Sequence, residues 1–230
     1  MYFGLDPLYL IIMAPVLLLS FYASMKVKRT FKKFSSTTTA GGMTGADAAR
    51  EILRMNGLSN VQVVETKGFL SDHYDPAKKT VRLSHDVYSS ASIAAIGVAA
   101  HETGHALQHK DAYGPLTLRN MMVPVASIGS NFAWIIIIAG FLFSAMGLVK
   151  VGILLFSAVV AFQLITLPVE FNASARAKKV LGSQRMVSAT ELAGVSNVLN
   201  AAAMTYVAAA ASAVATLFYF LLRAGILGDD

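Results

Sequence analysis

Four long apolar stretches decide what this chain of 230 residues can become. They run from Leu5 to Met25, Val125 to Val149, Val151 to Leu167 and Ala201 to Leu222. A helix needs ~20 mostly apolar residues to cross a bilayer, with about 17 at the short limit. All four stretches reach that length, the third only just. Composition agrees. Apolar residues make up 55% of the chain and charged residues 14%, whereas a soluble domain carries about 25% charged. An ordinary soluble domain is therefore excluded, and so is a disordered chain. The chain has no cysteine, which rules out a disulfide scaffold, thiolate-bound zinc and a cysteine nucleophile. The first stretch has no basic segment before it, and no small-residue cleavage site precedes the basic run that follows it. It reads as a retained anchor, not a signal peptide.

The formal net charge of +6 has a membrane explanation. Lys26, Lys28, Arg29, Lys32 and Lys33 follow the first stretch, and Arg176, Lys178, Lys179 and Arg185 follow the third. The positive-inside rule places both groups in the cytosol. Of the nineteen basic residues, only Lys150 and Arg223 then fall outside. The expected topology has both termini outside and the long polar segment in the cytosol of a multi-pass plasma-membrane protein. With the charge accounted for in this way, no nucleic-acid partner is expected; the bilayer itself is the partner.

The polar segment lies between the first two stretches. A Ser/Thr/Gly linker covers Ser35–Gly42. Thr44 then reads as the N-cap of a short helix ending before Gly57. Val61–Thr66 reads as a strand and Lys67-Gly68 as a turn. The stretches around Asp75-Pro76, including Lys78–Ser84, read as extended. An Ala-rich helix is expected from about Ser89 to about Lys110.

That helix contains His101-Glu102-Thr103-Gly104-His105, an HExxH motif. Residues four apart share a helix face, one turn from each other. Two imidazoles so placed can hold one Zn2+. Glu102 is set to act on a water at the open coordination position as general base, the arrangement of metallopeptidases. Two histidines and a glutamate are costly to bury in a mostly apolar helix unless they serve a purpose.

Zinc needs a third protein ligand. The candidates are His109, His73, His85, acidic residues of the polar segment, and Glu170. His109 continues the face of 101 and 105, but on a straight helix it stands about 12 Å along the axis from His101. Ala106-Leu107-Gln108 offers no glycine break that would fold it back. Glu170 is the better choice. Two spans separate it from His105, so both lie on one side of the membrane. Pro168, just before it, allows a kink or a helix start.

The chain resembles the YugP-type membrane zinc metallopeptidases of bacteria. HETGH, GFLSDHYDP, VRLSHDVY, and LPVEFNAS with AAAMTYVAAA carry the resemblance, over about Gly41 to Tyr219. It implies zinc held by His101, His105 and Glu170, with Glu102 as the catalytic carboxylate. EFNAS is also similar to the ExxxD segment of the HtpX and CAAX-processing membrane peptidases, whose first glutamate binds the metal. Ser174 stands where those proteins carry aspartate. Asn172 stands where aspartate is expected in YugP-type relatives.

Together these readings give a mainly α, multi-pass membrane protein with four transmembrane helices and a small α+β zincin-like cytosolic segment carrying the HExxH helix. The expected organisation is an anchor at 1–29, the cytosolic segment at 30–124, and a membrane region at 125–230 containing the third-ligand segment. The expected activity is zinc-dependent peptide-bond hydrolysis at the cytosolic membrane face, with one Zn2+ ion and a peptide or membrane-protein substrate. The alternatives are a zinc-binding membrane scaffold and a zinc hydrolase acting on something other than peptides. His73 and Tyr74 are candidate transition-state or substrate contacts; equally, Asp72 and Asp75 could cap a turn there while His73 faces water. Thr80–Ser84 is either an exposed edge that holds peptide substrate or a packed hairpin strand. The small-residue-rich fourth stretch suits close packing against a helix of this chain or of a protein partner.

Overall fold

The computed structural model describes residues 6–68 and 71–227. Seven helices and three strands are present among them. In order they are α1 (Pro7–Ser35), α2 (Gly45–Met55), β1 (Gln62–Thr66), β2 (His73–Asp75), β3 (Thr80–Ser84), α3 (His85–Tyr88), α4 (Ile93–Lys110), α5 (Gly114–Leu142), α6 (Met146–Ser183) and α7 (Ala189–Arg223). The protein is mainly α. It divides into two compact units, each built from separated pieces of chain. One comprises Met1–Ala23, Thr117–Pro168 and Thr205–Asp230, the other Ser24–Leu116 and Val169–Met204.

α1, α5, α6 and α7 are each long and apolar enough to cross a membrane. A helix suits that environment because it satisfies its own backbone polar groups where water is absent. In the first unit, small residues let helix backbones approach closely. A Cβ added to Gly140 of α5 would lie 2.7 Å from the Val149 backbone nitrogen of α6, and one added to Gly129 would lie 2.7 Å from the Leu155 carbonyl. Ile137, Val149, Ile153, Tyr219 and Phe220 form a buried cluster. Trp134 meets Phe220 edge to face at 4.9 Å between centroids. Ile11, Leu18, Met121, Phe143 and Leu154 are more than half exposed, which suits a lipid surrounding and would be a liability in water.

The second apolar stretch is divided differently from the expectation of one span over Val125–Val149. α5 ends at Leu142, and α6 begins at Met146 and already contains Lys150. The break falls at Ser144, whose φ of 54° is left-handed. Local residue types hid it, because the apolar run continues through the turn. α6 also runs straight through Pro168, so no helix starts there.

The second unit is the polar one. The capping box at the start of α2 is complete, with Thr44 Oγ1 accepting from the Asp47 N–H at 3.1 Å and Asp47 accepting from the Thr44 N–H. Gly57, with φ +69°, ends that helix as expected. The sheet order is β1-β3-β2, with β1 parallel and β2 antiparallel to β3. Thr80–Ser84 is therefore the central strand, and four of its five residues are buried. It is paired on both sides over Thr80–Arg82, as the packed-strand alternative has it and not the substrate-holding edge. A short helix, α3, follows it where none was expected. α4 starts at Ile93, later than expected, with Ser92 Oγ accepting from the Ala95 N–H at 3.2 Å as its cap. The Ser/Thr/Gly linker is tied down: the Thr39 N–H donates to the Ala91 carbonyl, and the Ala40 N–H donates to Glu191 at 2.7 Å. Two apolar clusters pack α2, the sheet, α4, and the ends of α1, α6 and α7.

Gly140→Val should separate α5 from α6, because the added side chain meets the Val149 backbone nitrogen as well as its Cγ2, both at 2.7 Å. We expect a loss of about 1–3 kcal/mol. A lowered thermal midpoint of the detergent-solubilised protein would register it, and an unchanged midpoint would contradict the packing.

Candidate metal centre

α4 brings His101 and His105 to one face, and α6 brings Glu170 and Ser174, also one turn apart. The two helices meet at Gly104, where an added Cβ would lie 2.6 Å from the Ala173 carbonyl oxygen. The contact requires a residue with no side chain at that point. On either side of it the polar groups interleave. His101 Nε2 lies 3.2 Å from Glu170 Oε2, and His105 Nε2 lies 3.6 Å from the same oxygen. Donor atoms of His101, His105 and Glu170 all fall within 4.8 Å of one another. Glu170 and His105 are buried, at 3% and 8% exposure.

Each imidazole is gripped by its other nitrogen. His101 Nδ1 is 3.1 Å from Ser174 Oγ, and His105 Nδ1 is 2.9 Å from Gln108 Oε1. Metal-binding histidines commonly engage such an outer partner. Ser174 takes that place on His101, where related peptidase families were expected to carry aspartate. Gln108 is fully buried, and sequence alone did not mark it as a partner. Its signal was a long polar side chain three residues after His105, on the buried face of an apolar helix.

The electrostatics call for positive charge. Burial alone would lower the His105 pKa, but the hydrogen bond to Glu170 and the charges of Glu102 and Glu170 outweigh it and hold it above the ordinary value. Burial pushes the Glu102 carboxyl up, against the opposing pull of His101 and His105. Among the described residues none hydrogen-bonds the Glu102 side chain, although it is only 8% exposed. Two imidazole nitrogens and a carboxylate oxygen converging on one buried point form a fitting donor set for a divalent cation such as Zn2+. They leave Glu102 free beside it.

Other candidates fall elsewhere. His73 is exposed, with Nδ1 2.8 Å from the Ser71 carbonyl in its own turn. The Tyr74 hydroxyl is 2.9 Å from His109 Nδ1, at the exposed end of α4. His85 pairs with Glu65 at 2.7 Å on the surface. None of these joins the cluster. In the SDHYDP turn, Asp72 is the residue whose charge acts on Glu102. Its carboxylate accepts the Ser84 N–H at 2.7 Å, while burial pushes its own pKa up. Asp75 caps the turn by accepting the Lys78 N–H at 3.0 Å. Phe69 and Leu70, at the start of that extended stretch, lie outside the described residues.

Residues 9–225 match the model of a family described as "Putative neutral zinc metallopeptidase". The chain is 50% identical over 204 residues to the "Putative membrane protease YugP" of Bacillus subtilis (strain 168), covering 89% of this chain and 91% of that protein. No solved structure matches it.

Gly104→Ala should push α4 away from α6 and spread the three donors. We expect about 1–3 kcal/mol of destabilisation together with weaker divalent-metal uptake. Thermal midpoint and metal titration would measure the two effects. Unchanged values for both would show that the helices do not need this contact.

Proposed function

The chain belongs to the "Putative neutral zinc metallopeptidase" family, and on that premise we propose that it is a membrane zinc metallopeptidase with Glu102 as its general base. The observation that carries this reading is the convergence of His101 Nε2, His105 Nε2 and Glu170 Oε2 beside a buried carboxylate that has no hydrogen-bond partner among the described residues. His101, His105 and Glu170 would hold one Zn2+. When bound, zinc supplies Lewis acidity, lowering the pKa of a water molecule and polarising a carbonyl.

The residues of the chain supply the proton chemistry and the geometry. Glu102 accepts a proton from the attacking water and passes it to the leaving amine nitrogen as the peptide C–N bond breaks. The remaining hydroxyl completes the new carboxyl group. Ser174 and Gln108 hold the two imidazoles in place. Burial of Glu102 raises its proton affinity, which suits a group that must hold a proton transiently. A purely structural zinc site has no use for an unbonded carboxylate at this position, and that weighs against the scaffold alternative.

For orientation, the distribution of Lys and Arg supports a cytosol-facing site with both termini outside. Substrates would then be peptide segments reachable at the cytosolic face of the membrane, such as loops or tails of membrane proteins.

Glu102→Gln should retain zinc while cleavage falls about 10²–10⁴-fold, the range of general acid–base catalysis. His101→Ala should lose the metal on elemental analysis. Comparing protein termini in cells rescued with wild type or with Glu102→Gln would identify substrates. Full cleavage by Glu102→Gln would sink the assignment.

The natural absence of cysteine permits a clean orientation test. Ser36→Cys should resist a membrane-impermeant thiol reagent in intact cells, while Ser144→Cys should react. The reverse pattern would invert the topology.

A further inference from the structure

We propose that Gln108, Asn172 and Arg176 form a hydrogen-bond relay that fixes the proton of His105 on Nδ1 and so presents its Nε2 lone pair to the metal. The proposal rests on the metal reading above and assigns positioning roles to three residues outside the ligand set.

A guanidinium has only donors. Arg176 Nε donates to Asn172 Oδ1 at 2.8 Å, so the Asn172 side chain must present its oxygen there. Arg176 is itself held by an ion pair with Asp111. The same Asn172 oxygen accepts from Gln108 Nε2 at 3.0 Å. The Val169 backbone carbonyl, also an acceptor only, takes a hydrogen bond from that Gln108 nitrogen at 2.8 Å. Two independent acceptors therefore turn the Gln108 NH2 away from His105. Its carbonyl oxygen must face His105 Nδ1, at 2.9 Å. A carbonyl oxygen brings no proton, so Nδ1 must carry one. A neutral imidazole has only one N–H, which leaves Nε2 as an acceptor aimed at the cluster.

Burial makes the polarity strict. Gln108 is 0% exposed. Flipping its amide would set oxygen against the Val169 and Asn172 oxygens and remove the hydrogen bond each accepts from it. The contrast with His101 is instructive. Its partner, Ser174, is a hydroxyl that both donates and accepts, so it holds that ring without dictating the tautomer. Gln108 has a second effect. Val169 directly precedes Glu170, so the amide that fixes His105 also ties α4 to the turn that carries the third ligand.

Zinc affinity measured by chelator competition tests the relay, together with the 15N spectrum of histidine-labelled, zinc-loaded protein. In the wild type His105 should bear its proton on Nδ1. Gln108→Met keeps length but offers no acceptor, and should weaken zinc binding about 10–100-fold. Asn172→Asp still accepts from both neighbours and should stay within about threefold of wild type, whereas Asn172→Leu should lose more than that. A merely structural Gln108 would lower the thermal midpoint of the Met variant and leave the His105 tautomer unchanged. If Gln108→Met does not fold, the comparison of Asn172→Asp with Asn172→Leu decides. Equal zinc affinity in wild type and Gln108→Met, equal losses in the two variants of Asn172, or a proton on Nε2 would overturn the relay alone. A wild type that takes up no zinc would overturn the metal reading and the relay with it.

Discussion

The contact between α4 and α6 at Gly104 is the constraint on which the candidate site depends. A gap of 2.6 Å between a Cβ at Gly104 and the Ala173 carbonyl leaves room for a hydrogen atom and nothing larger. Once the backbones touch there, helical spacing settles the rest. His101 meets Glu170 and Ser174, His105 faces Glu170 as well, and Gln108 meets Val169 and Asn172. Donors as far apart as 69 residues in sequence then share one buried point without any loop to steer them.

Negative charge is concentrated at that point. Glu170 is nearly inaccessible, Glu102 is buried with no hydrogen-bond donor among the described residues, and the charge of Asp72 adds to theirs. Three carboxylates in a poorly solvated region repel one another. His105 offsets part of this: the hydrogen bond to Glu170 and the charges of Glu102 and Glu170 outweigh burial and hold its pKa above the ordinary value. In the proposed reading, a divalent ion held by both imidazoles and the Glu170 carboxylate would supply further positive charge there. Glu102 would then remain beside the ion as the carboxylate proposed for the general base.

Much of this was legible in the sequence, because the signals were periodic or stereochemically specific. HExxH encodes a helix face. Thr44 and Asp47 encode a cap. Apolar length encodes four long helices. What escaped was information held in pairings. Thr80–Ser84 reads as extended, but nothing local says that it lies between two strands. The turn at Ser144 lies inside an unbroken apolar run. Expected segments were contiguous because patterns are read along the chain, whereas both compact units draw on distant pieces. Gln108 shows the limit most clearly. Its spacing puts it near His105, but its polarity is set by Val169, Asn172 and Arg176, more than 60 residues away.

Placing Glu170 on a helix has a physical consequence. A carboxylate on a loop can be re-aimed by small backbone changes, and its position then depends on the loop's own stability. Glu170 sits in the interior of α6, a 38-residue helix whose preceding turns form an apolar stretch. Its direction is set by helical geometry and by the docking of that helix on α4. Pro168, two residues earlier, removes one intrahelical hydrogen bond where the apolar stretch gives way to polar sequence. A proline in that position is tolerable because the segment that follows is held from outside. Gln108 binds the Val169 carbonyl, Ser174 meets His101, and Arg176 pairs with Asp111. The geometry of the site is thus secured by side chains that cross between two helices.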